Sequence, residues 1–100
     1  MTLENLTEQI RKTAASATGL RGTSKLAFDE GGAIFIDATQ TPYQVTNDNK
    51  DADCTIRIAL SDAAKLLTGD LNPMTAFMFG KIKVSGDTSI AMKIAQFLSK

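Results

Sequence analysis

The feature that most restricts the fold of this chain is the change in apolar periodicity along it. Over residues 3–18 apolar side chains recur every three or four positions, which predicts an amphipathic helix. The stripe consists of Leu3, Leu6, Ile10, Ala14 and Ala17. Over residues 23–30 and 33–39 the repeat shortens to two, which predicts two strands. Gly31-Gly32 between them predicts a two-residue hairpin.

Three further strands are predicted from shorter patterns. Tyr43 and Val45 indicate a third strand, and alternating apolar residues over 53–60 indicate a fourth. Ile82 and Val84 alternate with lysines in a fifth, and lysines in such a strand are typical of a sheet edge.

Polar residues and glycines predict the ends of the helices. The predicted starts are at Thr2, Ser61, Asn72 and Asp87, and the predicted ends are at Gly19, Gly69 and Gly80. Pro73 suits the first helical position, because its missing N–H group has no partner there in any case. The helix after Ser61 contains Leu66 and Leu67, and the last helix contains Ile90 and Ile94.

The resulting order is helix, three strands, strand, two helices, strand, helix. This order predicts an α+β fold in which helices cover one face of a mainly antiparallel sheet. With 100 residues, we expect one domain spanning residues 1–100.

The residue types present exclude several functions. The chain has no histidine and one cysteine, so Ser-His-Asp and Cys-His catalysis and histidine-based metal sites are excluded. Its carboxylates lie at predicted strand faces, turns or caps and form no catalytic pair. We therefore expect no enzymatic activity, no catalytic residue, no metal and no cofactor. The 11 basic and 11 acidic residues give zero net charge without a basic cluster, which argues against nucleic acid binding.

The single cysteine also bears on the compartment. Cys54 cannot form an intramolecular disulfide, and no secretory signal is visible. A reducing, cytoplasmic location is therefore expected.

Apolar residues are concentrated over 66–79, in two short predicted helices. Helices this short have too little surface to bury so many side chains against one sheet face, so a ligand cavity is one interpretation. Methionine suits such a cavity because its side chain is flexible and polarizable. The other interpretation is an ordinary filled core, which the pattern alone favours.

Residues 69–93 resemble a known family. The segment 69–87, GDLNPMTAFMFGKIKVSGD, followed by Ile90-Ala91-Met92-Lys93, looks like the C-terminal signature of sterol carrier protein 2 domains. The resemblance implies a five-stranded mixed sheet, covered on one face by helices and enclosing an apolar tunnel. It also implies binding of a fatty acid, fatty acyl-CoA, phospholipid or sterol-like ligand. The tunnel lining that it implies consists of Phe28, Ile36, Ile58, Leu66, Leu67, Met74, Phe77, Met78, Ile90 and Ile94.

The expected function is therefore non-covalent sheltering, and transfer, of an apolar lipid, with membrane contact at most transient. The alternative is a protein-interaction or accessory module with a filled core, for example in lipid or quinone biosynthesis. Homodimer formation stays open under both hypotheses.

Overall fold

The computed structural model describes residues 2–15 and 19–98. The helices and strands in this part of the chain alternate in the order that the sequence predicts. They are α1 (Leu3–Ala15), β1 (Thr23–Phe28), β2 (Ala33–Asp37), β3 (Gln44–Thr46), β4 (Cys54–Ile58), α2 (Leu60–Thr68), α3 (Pro73–Met78), β5 (Ile82–Gly86) and α4 (Thr88–Leu98).

The strands of the described residues form one five-stranded sheet in the order β3-β2-β1-β4-β5. β1 runs antiparallel to β2 and parallel to β4, and the β2–β3 and β4–β5 pairs are antiparallel. The parallel pair arises because the chain leaves β1 through β2 and β3 and returns on the other side of β1. This mixed, mainly antiparallel sheet confirms the predicted α+β class and the sheet that the resemblance implied.

One face of the sheet is apolar, and the helices cover it. The register sets Leu26 of β1 beside Ile34 of β2 and Ile56 of β4, and all three side chains are buried. Ile10 of α1 and Ile94 of α4 belong to the same buried cluster. Alternation along the strands thus turns one row of side chains toward the helices and the other row toward the opposite face of the sheet.

Several helix ends agree with the prediction. The Asn72 side chain accepts hydrogen bonds from the Met74 and Thr75 amides at 2.9 and 3.3 Å, and Pro73 follows it as the first residue of α3. The Asp87 carboxylate accepts the Ile90 amide at 3.2 Å at the start of α4. Gly69 ends α2 in the left-handed conformation, with φ of +85°.

Other boundaries differ from the prediction. Ser61 is not the cap of α2: the helix begins at Leu60, and the Glu30 carboxylate accepts the Leu60 amide at 2.9 Å. A residue distant in sequence therefore satisfies this helix start. The β1–β2 connection is a four-residue segment, 29–32, closed by a hydrogen bond from the Gly31 amide to the Phe28 carbonyl. The predicted end of α1 near Gly19, and Ala17 in its stripe, involve residues 16–18, which lie outside the described part.

Candidate functional site

Six of the ten predicted lining residues lie in a single buried cluster. The sheet contributes Phe28, Ile36 and Ile58, which form one wall of the predicted site. The helices contribute Leu66 of α2 with Ile90 and Ile94 of α4, which form the other, and we call these six residues the two walls. Each of these side chains is at most 8% exposed. The β1–β4 register sets Phe28 directly beside Ile58. The fold thus brings the sheet half and the helix half of the predicted set face to face.

The other four predicted residues lie toward the outside. Leu67 is half-buried at the edge of the cluster, whereas Met74, Phe77 and Met78 are 52%, 42% and 79% exposed. Phe79, which the prediction did not include, is 75% exposed. We refer to Met74, Phe77, Met78 and Phe79 as the α3 patch. Sequence reasoning missed Phe79 as a surface residue, because its apolar neighbours give no sign of which side chains face outward.

The exposure of the α3 patch follows from how α3 is held. The only residue of this six-residue helix that is buried is Ala76. Backbone hydrogen bonds close its C-terminus, from the Gly80 amide to the Phe77 carbonyl at 3.2 Å and from the Lys81 amide to the Ala76 carbonyl at 2.8 Å. Because an alanine buries little apolar area, α3 is held mainly by its ends and not by its side chains.

Cys54 lies in the core and is not an activated nucleophile. Its side chain is 1% exposed, and Sγ donates a hydrogen bond to the Ser24 hydroxyl at 3.4 Å. Burial raises the pKa of the Cys54 thiol above its usual value, so the thiol stays protonated at neutral pH. The residue behaves as a small apolar side chain in the sheet face.

Several of the carboxylates that the structure describes are engaged in local structural contacts. The Asp53 carboxylate accepts the Thr23 amide at 3.0 Å, and Glu30 and Asp87 cap helices as described above. The Thr39 hydroxyl and amide donate to Asp37 and lower the pKa of that carboxyl. Over residues 2–15 and 19–98, no group of three or more Cys, Asp and Glu side chains is arranged to hold a metal ion.

None of the helices in residues 2–15 and 19–98 is long and apolar enough to cross a bilayer.

These observations define a class of small α+β domains built on one apolar sheet face, with buried helix and sheet walls opposite each other. Within that class, the chain belongs to the SCP-2 sterol transfer family, whose family model matches residues 3–99. The resemblance seen in residues 69–93 is therefore confirmed. Lipid binding is the general property of this family.

Individual relatives agree with this membership. Over 48 residues the chain is 52% identical to sterol carrier protein 2 of Bos taurus. The matched segment makes up 48% of this chain but only 9% of the bovine protein. The crystal structure of sterol carrier protein 2 like 2 from Aedes aegypti matches with a TM-score of 0.77 at 24% identity, over 94% of each chain. The solution structure of the palmitated Aedes aegypti protein also gives 0.77, at 22% identity, over 100% of this chain and 96% of that one. At these identities the two structures show the shared fold.

Proposed function

We propose that this domain, residues 1–100, binds the apolar chain of one lipid molecule between its two walls and does no chemistry on it. The proposed ligand is a fatty acid, a fatty acyl-CoA, a phospholipid or a sterol-like molecule. The observation that carries the proposal is the opposition of Phe28, Ile36 and Ile58 to Leu66, Ile90 and Ile94 in one apolar cluster. A palmitated relative of the same fold adds support, since palmitate is an apolar chain with a small polar head.

The energetics of such burial are sufficient without a charged contact. Removing about ten methylene groups from water gains on the order of 8 kcal/mol before the costs of ordering and association. A gain of that size allows micromolar affinity once part of it is lost to those costs. The protein therefore needs no cofactor, metal or catalytic residue for this function.

The proposed route of entry is past α3. This helix buries one alanine only, and its neighbour Leu67 is half-buried at the cluster edge. Met74, Phe77 and Met78 would form the rim of the entrance and contact the ligand while it enters or after α3 closes over it. Gly69 and Gly80, which flank this part of the chain, both have positive φ values and allow the backbone to turn there.

The experiment that tests the proposal is organic extraction of the purified protein followed by mass spectrometry, together with displacement of a fluorescent fatty acid from the delipidated protein. We expect co-purified lipid and saturable displacement at a stoichiometry near one ligand per chain. An empty extract together with absence of saturable displacement would contradict the proposal. Turnover of a thioester or other lipid substrate by the delipidated protein would contradict the absence of chemistry.

The alternative function is an interaction or accessory module with a filled core. The observation that favours it is that the two walls pack in the same cluster, as they would in an ordinary core. Under this alternative the α3 patch would contact a protein partner or a second copy, and light scattering would detect the dimer. A cytoplasmic location is proposed because Cys54 is a free, buried cysteine, which suits a reducing compartment. Fractionation of cells that express the chain tests this location.

A further inference from the structure

Strand β5 is an edge of the sheet, and the direction of its backbone groups follows from the hydrogen bonds of β4. The Asp29 amide donates to the Ile58 carbonyl at 3.2 Å, so the N–H and C=O groups of Ile58, and of Ile56 two residues before it, point toward β1. Ile56 lies opposite Val84 in the β4–β5 register. That pair is therefore not hydrogen bonded, and the N–H and C=O groups of Val84 point to the outer side of β5.

The two edges of the sheet differ in what covers them. At the β3 edge α1 packs against the strand, and the Arg11 guanidinium donates to the Val45 carbonyl at 2.9 Å. At the β5 edge, within residues 2–15 and 19–98, the N–H and C=O groups of Val84 have no hydrogen-bond partner. Ile82 points its backbone the same way but is buried, whereas Val84 is half-buried. The open part of the edge is therefore centred on Val84, and such an edge is a template for a further strand.

The side chains beside this open edge are cationic and lack acidic partners. Lys83 and Arg57 face each other across β5 and β4, on the face of the sheet opposite the helices, and both residues are exposed. Within the described ranges neither is in an ion pair, and like charges directly opposite each other repel. A carboxylate beside Lys83 on an added strand would relieve that repulsion, whereas a basic strand would increase it.

We propose that the β5 edge binds an extended acidic segment of a partner protein, which adds to the five-stranded sheet as a sixth strand. Its backbone pairs with the N–H and C=O groups of Val84, and its side chains alternate between acidic and apolar. The acidic side chains lie on the face that carries Lys83, and the apolar ones cover the half-buried Val84 on the other face. This surface lies outside the two walls, so binding there does not require a bound lipid.

A second copy of this chain fits the edge less well than an acidic segment. A symmetric β5–β5 pair centred on Val84 sets the Lys83 side chains of the two copies diagonal to each other and brings both Arg57 side chains onto the same face. Diagonal neighbours are within reach of long side chains, so this pairing adds repulsion where an acidic segment removes it. The cations therefore select against self-pairing and in favour of an acidic strand.

The test is an NMR titration of the nitrogen-15-labelled full chain with a short blocked peptide of alternating glutamate and valine. The matched probe carries glutamine in place of glutamate. We expect saturable shifts of the Val84 amide and slower exchange of that amide with solvent, and no shift at Val45 on the covered edge. The glutamate peptide is expected to bind at least about threefold more tightly than the glutamine peptide, and less tightly at high salt.

Three variants separate strand addition from the attraction of charges alone. Lys83→Gln is expected to weaken binding of the glutamate peptide about fourfold. Lys12→Gln removes the same charge from α1, which packs on β3 at the far edge, and binding stays within about 1.5-fold. Val84→Pro removes the outward N–H but no hydrogen bond to β4, and is expected to weaken binding at least about fivefold. Circular dichroism checks that each variant keeps the fold.

Several results would overturn the added strand. These are the absence of shifts at Val84, equal binding of the two peptides, and equal weakening by Lys12→Gln and Lys83→Gln. Undiminished binding by a folded Val84→Pro variant would show that the peptide meets the charges and not the edge. A dimer that Val84→Pro converts to a monomer would assign the edge to a second copy instead.

Discussion

Gly86 is the position at which a single methyl group should disturb the site most, because it lies at the junction between β5 and α4. Its φ is +88°, and a Cβ atom added there would lie 2.5 Å from the Asp53 carbonyl oxygen and 3.2 Å from the Cys54 Cα. The same carbonyl accepts the Asp87 amide at 3.0 Å. A Gly86→Ala substitution must therefore push the backbone of β4 away and disturb the residue that caps α4.

The cost can be separated into two parts with a control variant. Gly31 also has a positive φ, of +104°, but a Cβ atom there would have no neighbour within 4 Å. Gly31→Ala should cost the conformational strain alone, about 1–2 kcal/mol. Gly86→Ala adds a contact with backbone that cannot rotate away, which costs about 1–3 kcal/mol more.

Urea unfolding and thermal unfolding, each followed by circular dichroism, measure both variants. We expect Gly86→Ala to have the lower free energy of unfolding, with a Tm about 10 °C or more below that of the unmodified protein. The urea dependence of the free energy should stay the same if the native fold is kept. Equal destabilisation by the two variants, within about 0.5 kcal/mol, would refute the close packing of β5 on β4 at Gly86.

Three further predictions concern the site and its supports. Asn72→Ala removes the cap of α3, so we expect a loss of about 1 kcal/mol and faster amide hydrogen exchange in α3; unchanged exchange would show that the cap does not hold the helix. Because burial raises the pKa of Cys54, its contribution to stability is present below about pH 9, its unfolded value, and is lost as pH rises further. The free energy of unfolding should therefore fall above that pH relative to a Cys54→Ala variant, and parallel pH curves would contradict this reasoning. Ile94→Val and Ile10→Val should each cost about 0.5–1.5 kcal/mol of stability. Ile94→Val should also weaken fatty acid binding about fourfold, through one lost methylene, and Ile10→Val should weaken it less; equal weakening by both would contradict the proposed wall.

Much of the fold could be predicted because its signals are local. The alternation of β1 and β4 is set by residues two apart, and it correctly gave the side of the sheet that carries Leu26 and Ile56. The Asn72-Pro73 start of α3 was also predictable, since a cap and its amides lie within three residues of each other.

The differences arise where distant residues decide the outcome. The carboxylate that accepts the first amide of α2 belongs to Glu30, thirty positions before the helix, so the sequence around Ser61 could not reveal it. The exposure of Met78 and Phe79 likewise depends on what lies over α3 in three dimensions. Apolar periodicity shows that a helix has an apolar face but not whether another element covers that face.

The lining itself had a different origin from the fold. Composition alone favours a filled core, and the predicted lining rests on the family resemblance. The structure adds that six of its residues, including Ile58 and Ile94, lie together, whereas Met74 and Phe77 lie at the surface. What needs testing is whether an apolar chain enters between the walls.

Titration of delipidated protein with palmitate, followed by NMR of carbon-13-labelled isoleucine methyl groups, tests that claim most directly. The account predicts saturable shifts at Ile58, Ile90 and Ile94. It predicts smaller shifts at Ile10, because α1 packs on β3, which lies three strand spacings, or about 14 Å, from β4. Absence of shifts at the three wall residues, or shifts of equal size at Ile10, would contradict the account.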